Sequence, residues 1–306
     1  MKFEKALQLF DTILENGPLG TRLKYDYGLE ASCDLTDQEK GRKALFELYE
    51  GDLAVAQTYH LPMILNAATF RTSRNHLQNP DFRNPQEVVR INIDRVELIK
   101  TIRERYVNAH APIFIGAPLG SMYDAYSIKT IPSVEEAKTY HQEQINIFKA
   151  LDVDFVNVVT LPSLTEAIGI ALAAELADIP YVIGFILNEH AMLFDGTELD
   201  KAIETIDAAV IHKPLGYLVT CTHTSIIDKL TQSPSLYSRL IGIQPNGSHL
   251  SPQVLACMNK PIADSPEIFA KALMRLKTVF GLKIVSGCCG TTRKHLECIA
   301  QMCASS

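Results

Sequence analysis

The sequence predicts an α/β fold, a single-domain (β/α)8 barrel of the TIM type spanning residues 1–306. Three observations predict it. Eight short runs rich in Val, Ile, Phe and Tyr recur along the chain, several apolar throughout, as strands covered on both faces should be. Longer segments of helical period lie between them, and strict strand–helix alternation builds parallel sheets. A chain of 306 residues with 47% hydrophobic content suits one such barrel.

The first strand is expected near Thr12–Glu15 and the second at Leu61–Asn66. Residues 76–85, broken by Asn-Pro and Pro-Asp steps, read as a loop within one domain. Pro112–Gly116 is the third strand. Ser133-Val-Glu-Glu136 then has the capping-box spacing, and apolar residues at 134, 137, 140, 145, 148 and 151 continue it as a helical stripe. The fourth strand, Phe155–Thr160, leads to a second box, Ser163-Leu-Thr-Glu166. Strands follow at Tyr181–Leu187, Tyr217–Cys221 and Leu240–Ile243. Ser265-Pro266-Glu267 opens the next helix, with Pro where no amide partner is needed, and Gly281 closes it before a last strand at Lys283–Ser286. A doubly wound open sheet is the rival, but no Gly-rich phosphate loop follows an early strand, and no linker or short repeat divides the chain.

A formal net charge of −6 and the absence of a long basic run argue against nucleic acid as a partner. The longest apolar stretches, around Ala167–Leu176 and Ile179–Leu187, are split by Asp178 and fall short of a membrane span. The opening residues carry charges every few positions, unlike a secretory leader. Seven cysteines, two of them adjacent, do not look like a disulfide framework. The expectation is a cytoplasmic protein acting on small molecules, with metal-binding, catalytic or simply buried thiols.

The strongest functional signal is Ile284-Val-Ser-Gly-Cys288-Cys289-Gly-Thr-Thr292, an apolar strand ending in a small-residue turn with two thiols. Adjacent cysteines alone are weak evidence, since each is also a common buried residue. Cys221 strengthens it by ending another strand, in Gly216-Tyr-Leu-Val-Thr-Cys221. In a barrel both strand ends open on the face where active sites gather. Cys33, Cys257, Cys298 and Cys303 have no matching role; Cys298 reads as packing and Cys33 as an exposed thiol.

The stretch SGCCGTTRKHLECIA closely resembles the signature of homocysteine S-methyltransferases, in which the cysteine pair binds zinc and an earlier strand-end cysteine, matched by Cys221, is the third ligand. Asn16-Gly-Pro-Leu-Gly20-Thr21 resembles the family's N-terminal turn, Gly116-Ala-Pro-Leu-Gly120 its strand-three loop, and Pro245-Asn246-Gly247 its strand-seven loop. The resemblance implies a barrel, Zn²⁺ held by Cys221, Cys288 and Cys289, and methyl transfer from a sulfonium donor (S-methylmethionine or S-adenosylmethionine) to a thiol, in the first instance homocysteine, giving methionine. It points for substrate contacts to Gly17, Gly20, Thr21, Asn157 and Thr160, with Glu189, after an apolar strand, as a further candidate. The chemistry is coherent: three thiolates leave a tetrahedral zinc one open position, and a coordinated thiol is ionised by the metal.

The chain also departs from the family. Val159 stands where a Glu that holds the amino group of homocysteine is expected, Asn16 where Asp is usual, and Ala68 where Asn is common. Either another residue (Glu189, Asp195 or Asn157) takes over the amino group, or the acceptor is a different thiol. Glu189 and His190 are equally readable as ordinary loop residues, and His223 as a neighbour of the metal or a solvent-facing histidine. A zinc-binding barrel with a binding or regulatory role is the alternative function. A redox pair at Cys288-Cys289 is a third, opposed by the strain of a vicinal disulfide and by leaving Cys221 without a role.

Overall fold

In the computed structural model, eight parallel strands close into a barrel in the order β1 to β8. They are β1 (Ile13–Glu15), β2 (Met63–Asn66), β3 (Ile113–Leu119), β4 (Phe155–Leu161), β5 (Tyr181–Phe185), β6 (Tyr217–Thr220), β7 (Leu240–Gln244) and β8 (Ile284–Val285). Closure comes from β1 pairing β8, with Ile13 opposite Ile284. The structure describes residues 1–31, 35–77, 84–106, 111–126, 128–251, 254–255, 258 and 260–305. Cys33, Cys257 and much of the expected 76–85 loop lie outside them.

All eight expected strands are present, with shifted ends. β3 runs three residues further than expected, through Pro118, which reads locally as a strand breaker. Pro118 still pairs Asn157 across β3–β4, and its carbonyl accepts the Thr69 hydroxyl at 2.8 Å. β6 stops one residue early because Cys221 leaves the sheet with φ 50°.

The barrel interior is layered. At its base Ile13, Ile64, Phe114, Phe155, Val182, Leu218 and Ile284 form an apolar plug. The N-terminal helix Phe3–Leu9 seals it: Phe3 stacks on Phe155 at 4.1 Å and meets Phe114 edge-on at 5.1 Å. Above the plug lies a polar layer. The carboxylate of Glu15, wholly buried, accepts from Asn66 and, at 2.6 Å, from Asn157, whose amide also donates to Asn66 at 2.9 Å. Loops at the C-terminal strand ends cover that layer, and the larger apolar core fills the space between strands and outer helices.

The capping box at Ser133 forms as expected. The one at Ser163 does not. Glu166 instead turns into the interior, where His141 of the neighbouring helix Val134–Ala150 lies 2.9 Å from its oxygen and the Met122 amide donates to the same atom. Asp195 takes over the cap, accepting from the Leu164 amide at 2.6 Å. Ser265 and Gly281 bound their helix as expected, the glycine at φ 65°. No helix among the described residues is long and apolar enough to cross a membrane.

Candidate functional site

The three signature cysteines meet at the C-terminal mouth of the barrel. Cys221 leaves β6 through a left-handed residue, which carries its sulfur inward. Its amide donates to the Gln244 carbonyl at 2.9 Å, and its own carbonyl accepts from Asn246 at 2.8 Å. The turn after β8 is clamped by the loop after β7: the Cys288 amide donates to Pro245 at 2.7 Å, and the Gly247 amide to the Cys289 carbonyl at 2.9 Å. Gly290 lets this turn form, with φ 87° and the Ile262 carbonyl only 2.6 Å from where a Cβ would stand.

The three sulfurs all lie within 4.8 Å of one another, and those of Cys221 and Cys288 are 2.6 Å apart. A tetrahedral zinc with bonds of about 2.3 Å spaces its sulfurs about 3.8 Å apart, within that 4.8 Å limit but wider than the Cys221–Cys288 pair, which would part to hold it. The electrostatics fit a cation too. Hydrogen bonds from Cys221 and Cys288 hold the Cys289 thiol well below its usual range, with the Thr21 hydroxyl adding to the effect. Hydrogen bonding to Cys221 and Cys289, then burial, pushes Cys288 up. One thiolate forms readily and the others resist a second negative charge, which a bound dication would remove. The soft donor set and the nearby hydroxyls could therefore hold a thiophilic metal ion.

Two further hydroxyls reach the Cys221 sulfur: Thr160 Oγ1 at 3.5 Å and Tyr126 Oη at 3.6 Å. Thr160, like Cys221, has a left-handed backbone, at φ 63°, and it lies near the end of β4 where that strand shifts register against β5. Burial pushes the Tyr126 phenol well up, and the three neighbouring sulfurs add to it, so it remains a donor.

A cavity opens over the sulfurs, and it gathers Gly17, Gly20, Thr21 and Thr160 with Val159, Ala68 and all three cysteines. The Gly17 amide donates to Asp52, whose carboxylate is paired with buried Arg22 at 2.7 Å, so that ion pair fixes the N-terminal turn. Asn157 lies in the polar layer below rather than on the cavity wall. Glu189 sits exposed on the loop after β5, 3.7 Å from His190, outside this cavity. Asp195 is engaged as a helix cap. His223 lies 3.2 Å from an Asp264 oxygen and caps a short helix, with a hydrogen bond from the Ser225 amide.

Sequence reasoning missed Tyr126, Arg71 and Arg95, which also line the cavity. Arg95 did leave a trace, as a cation between Ile91 and Ile99 on the buried stripe of the helix Pro85–Arg105. Tyr126 and Arg71 sit in stretches with no periodic or motif signal. A second cavity adjoins the first and shares Gly20, Thr21, Arg71, Tyr126 and Cys289 with it.

The family model described as homocysteine S-methyltransferase matches residues 59–303. Among solved structures, the metallated form of the homocysteine methyltransferase MmuM from Escherichia coli superposes with a TM-score of 0.73 at 16% identity, covering 97% of this chain and 98% of that one. Its oxidised form gives 0.72 at 16% identity with 97% of each chain covered. At that identity the likeness speaks for the fold. No curated protein sequence matches the chain.

Proposed function

The chain belongs to the homocysteine S-methyltransferase family, and from that premise we propose a zinc-dependent enzyme that moves a methyl group from a sulfonium donor to a thiol. The observation that carries this reading is the convergence of Cys221, Cys288 and Cys289 within 4.8 Å, from two strand ends 67 residues apart. Zinc at that place would ionise an incoming thiol and hold the resulting thiolate beside the donor.

The chain's own residues supply the rest. Thr160 and Tyr126 donate to the Cys221 sulfur and fix its orientation. The Arg22–Asp52 pair holds the glycine-rich turn against the cavity. Two cavities meeting at Cys289 allow acceptor and donor to approach from different sides, as an in-line displacement requires. Acceptor sulfur attacks the methyl carbon, the carbon–sulfonium bond breaks, and a neutral thioether leaves. S-methylmethionine and S-adenosylmethionine are the donors proposed. Free thiols at all five described cysteines suit a reducing compartment, and we assign the reaction to the cytoplasm.

Homocysteine, giving methionine, is the acceptor that the family's description supplies. A different thiol is the second reading, favoured by Val159 in the cavity wall. The test is metal analysis alongside methyl-transfer assays with both donors and several thiols. Zinc near one per chain, lost in Cys221→Ala, Cys288→Ala and Cys289→Ala together with activity, supports the proposal. Activity that survives without metal sinks it.

A further inference from the structure

We infer that Asp52 is a positioning residue of the metal site: from a helix outside the barrel it fixes Thr21, and through Thr21 the Cys289 sulfur. The inference rests on the zinc reading above and goes beyond it, since Asp52 lines neither of the two cavities.

Asp52 lies on the helix Glu39–Thr58 and is wholly buried. Its carboxylate is shared by three groups. The Arg22 guanidinium donates to both oxygens, at 2.8 and 2.7 Å, and the Gly17 amide donates to one of them at 3.1 Å. Arg293 approaches the other oxygen, with its Nε 3.8 Å away. Gly17 and Arg22 bracket Pro18, Leu19, Gly20 and Thr21, all of which line the cavity over the sulfurs. One carboxylate therefore pins both ends of that stretch, and the Thr21 hydroxyl within it donates to the Cys289 sulfur. Arg293 opens the helix Arg293–Ala304, just after the turn that carries Cys288 and Cys289. Its guanidinium also donates to the Glu47 carbonyl at 3.1 Å. Nearer the strands, the Ser286 hydroxyl donates to the Glu15 carbonyl at 2.8 Å, so the ends of β1 and β8 are tied at two levels.

Two features say that this arrangement serves placement. A buried ion pair adds little net stability, since desolvation offsets most of the attraction, yet it holds only when both partners keep their places. Gly51 is the second. A Cβ there would run into the Arg293 guanidinium, so Arg293 crosses the helix Glu39–Thr58 at a residue with no side chain. Glycine inside a helix lowers its stability relative to alanine, and here it leaves Arg293 a path to Asp52.

The test measures zinc affinity by chelator competition, the absorption spectrum of the cobalt-loaded protein and the urea midpoint on the same variants. Asp52→Asn should bind zinc about ten-fold more weakly, as loss of a group behind a metal ligand does, and its cobalt spectrum should depart from that of the wild type. Gly51→Ala improves the helix but pushes Arg293 aside. It should weaken zinc binding about three-fold, the scale of a half-exposed ion pair, while its urea midpoint stays equal or rises. A purely structural role does not move the two readouts in opposite directions. Arg293→Gln should match that loss of affinity, and joining it to Gly51→Ala should add nothing, since both break one contact. Wild-type zinc affinity in Gly51→Ala and Arg293→Gln overturns the inference even if Asp52→Asn fails to fold. So does an unchanged cobalt spectrum in Asp52→Asn. Wild-type protein that binds neither ion overturns the zinc reading and this inference together. Zinc bound in the expected order, with no methyl transfer from either donor, sinks the proposed activity and leaves the role of Asp52 standing.

Discussion

Thr160, the penultimate residue of β4, and Cys221, the residue that follows β6, share an unusual feature: both have left-handed backbones, φ 63° and φ 50°, and the hydroxyl of the first donates to the sulfur of the second over 3.5 Å. The link is doubled, since the Thr160 amide donates to the Thr220 hydroxyl at 2.9 Å. Left-handed conformations are disfavoured for side chains branched at Cβ, and they persist where surrounding structure imposes them. Here the strain turns a sulfur toward its partners.

Thr160→Val keeps the shape and the strained backbone but removes the hydroxyl, whereas Thr160→Gly removes both hydroxyl and strain. Both variants should bind zinc about ten-fold more weakly, the usual cost of losing a group that orients a metal ligand. In urea unfolding, the glycine variant should be more stable than the valine variant by about 1 kcal/mol. Wild-type zinc affinity in Thr160→Val, measured by chelator competition, would show that the hydroxyl contact is idle.

Glu166 joins three parts of the structure, the helices Val134–Ala150 and Leu164–Ala177 and the loop after β3, by accepting from His141 and the Met122 amide while almost wholly buried. Glu166→Ala leaves buried His141 without its partner and should cost roughly 3 kcal/mol in chemical denaturation. Exposed Glu135, on the preceding helix, is the control: Glu135→Ala should change stability by under about 0.5 kcal/mol. Equal losses would remove the special role assigned to the buried carboxylate.

The same pair of positions shows what a sequence can and cannot disclose. Ser133 and Ser163 share a Ser-x-x-Glu spacing, and only the first forms a box. The difference lies in His141 and Asp195, which reach residue 166 and the Leu164 amide from elsewhere in the chain. Strands were legible because burial on both faces makes them apolar throughout, a local property. The cysteines were legible because they closely follow such strands, Cys221 after β6 and the pair in the turn after β8. Pro118 inside β3 was not, since its tolerance depends on what pairs with it. Tyr126 and Arg71 enter the cavity from loops, where no periodicity reports which way a side chain will face.

Glu15 provides a pH test. Burial raises its pKa above the ordinary range of a glutamate, and the amides of Asn66, Gln244 and Asn157 offset only part of that. The folded state therefore holds its proton to higher pH than the unfolded state. The group's contribution is most favourable below about 4.5 and is lost as pH rises through the folded pKa. The urea stability of the wild type relative to Glu15→Gln should accordingly decline from pH 5 to pH 8. A difference that grows with pH would mean that the amides, rather than burial, govern this carboxylate.

Gly290 and Gly196 share φ 87°, but a Cβ at Gly290 would stand 2.6 Å from the Ile262 carbonyl, while nothing lies within 4 Å of one at Gly196. Gly196→Ala therefore reports the backbone penalty alone, about 1–2 kcal/mol. Gly290→Ala adds a clash with main chain, which cannot swing aside, in the turn that presents Cys288 and Cys289. We expect it to be the more destabilising by at least about 1 kcal/mol, and to lose zinc on dialysis under conditions where Gly196→Ala retains it. The two losses belong together, because a displaced turn moves two of the three sulfurs away from the one on β6. Zinc retention by Gly290→Ala equal to that of Gly196→Ala would mean that the metal does not depend on the shape of this turn.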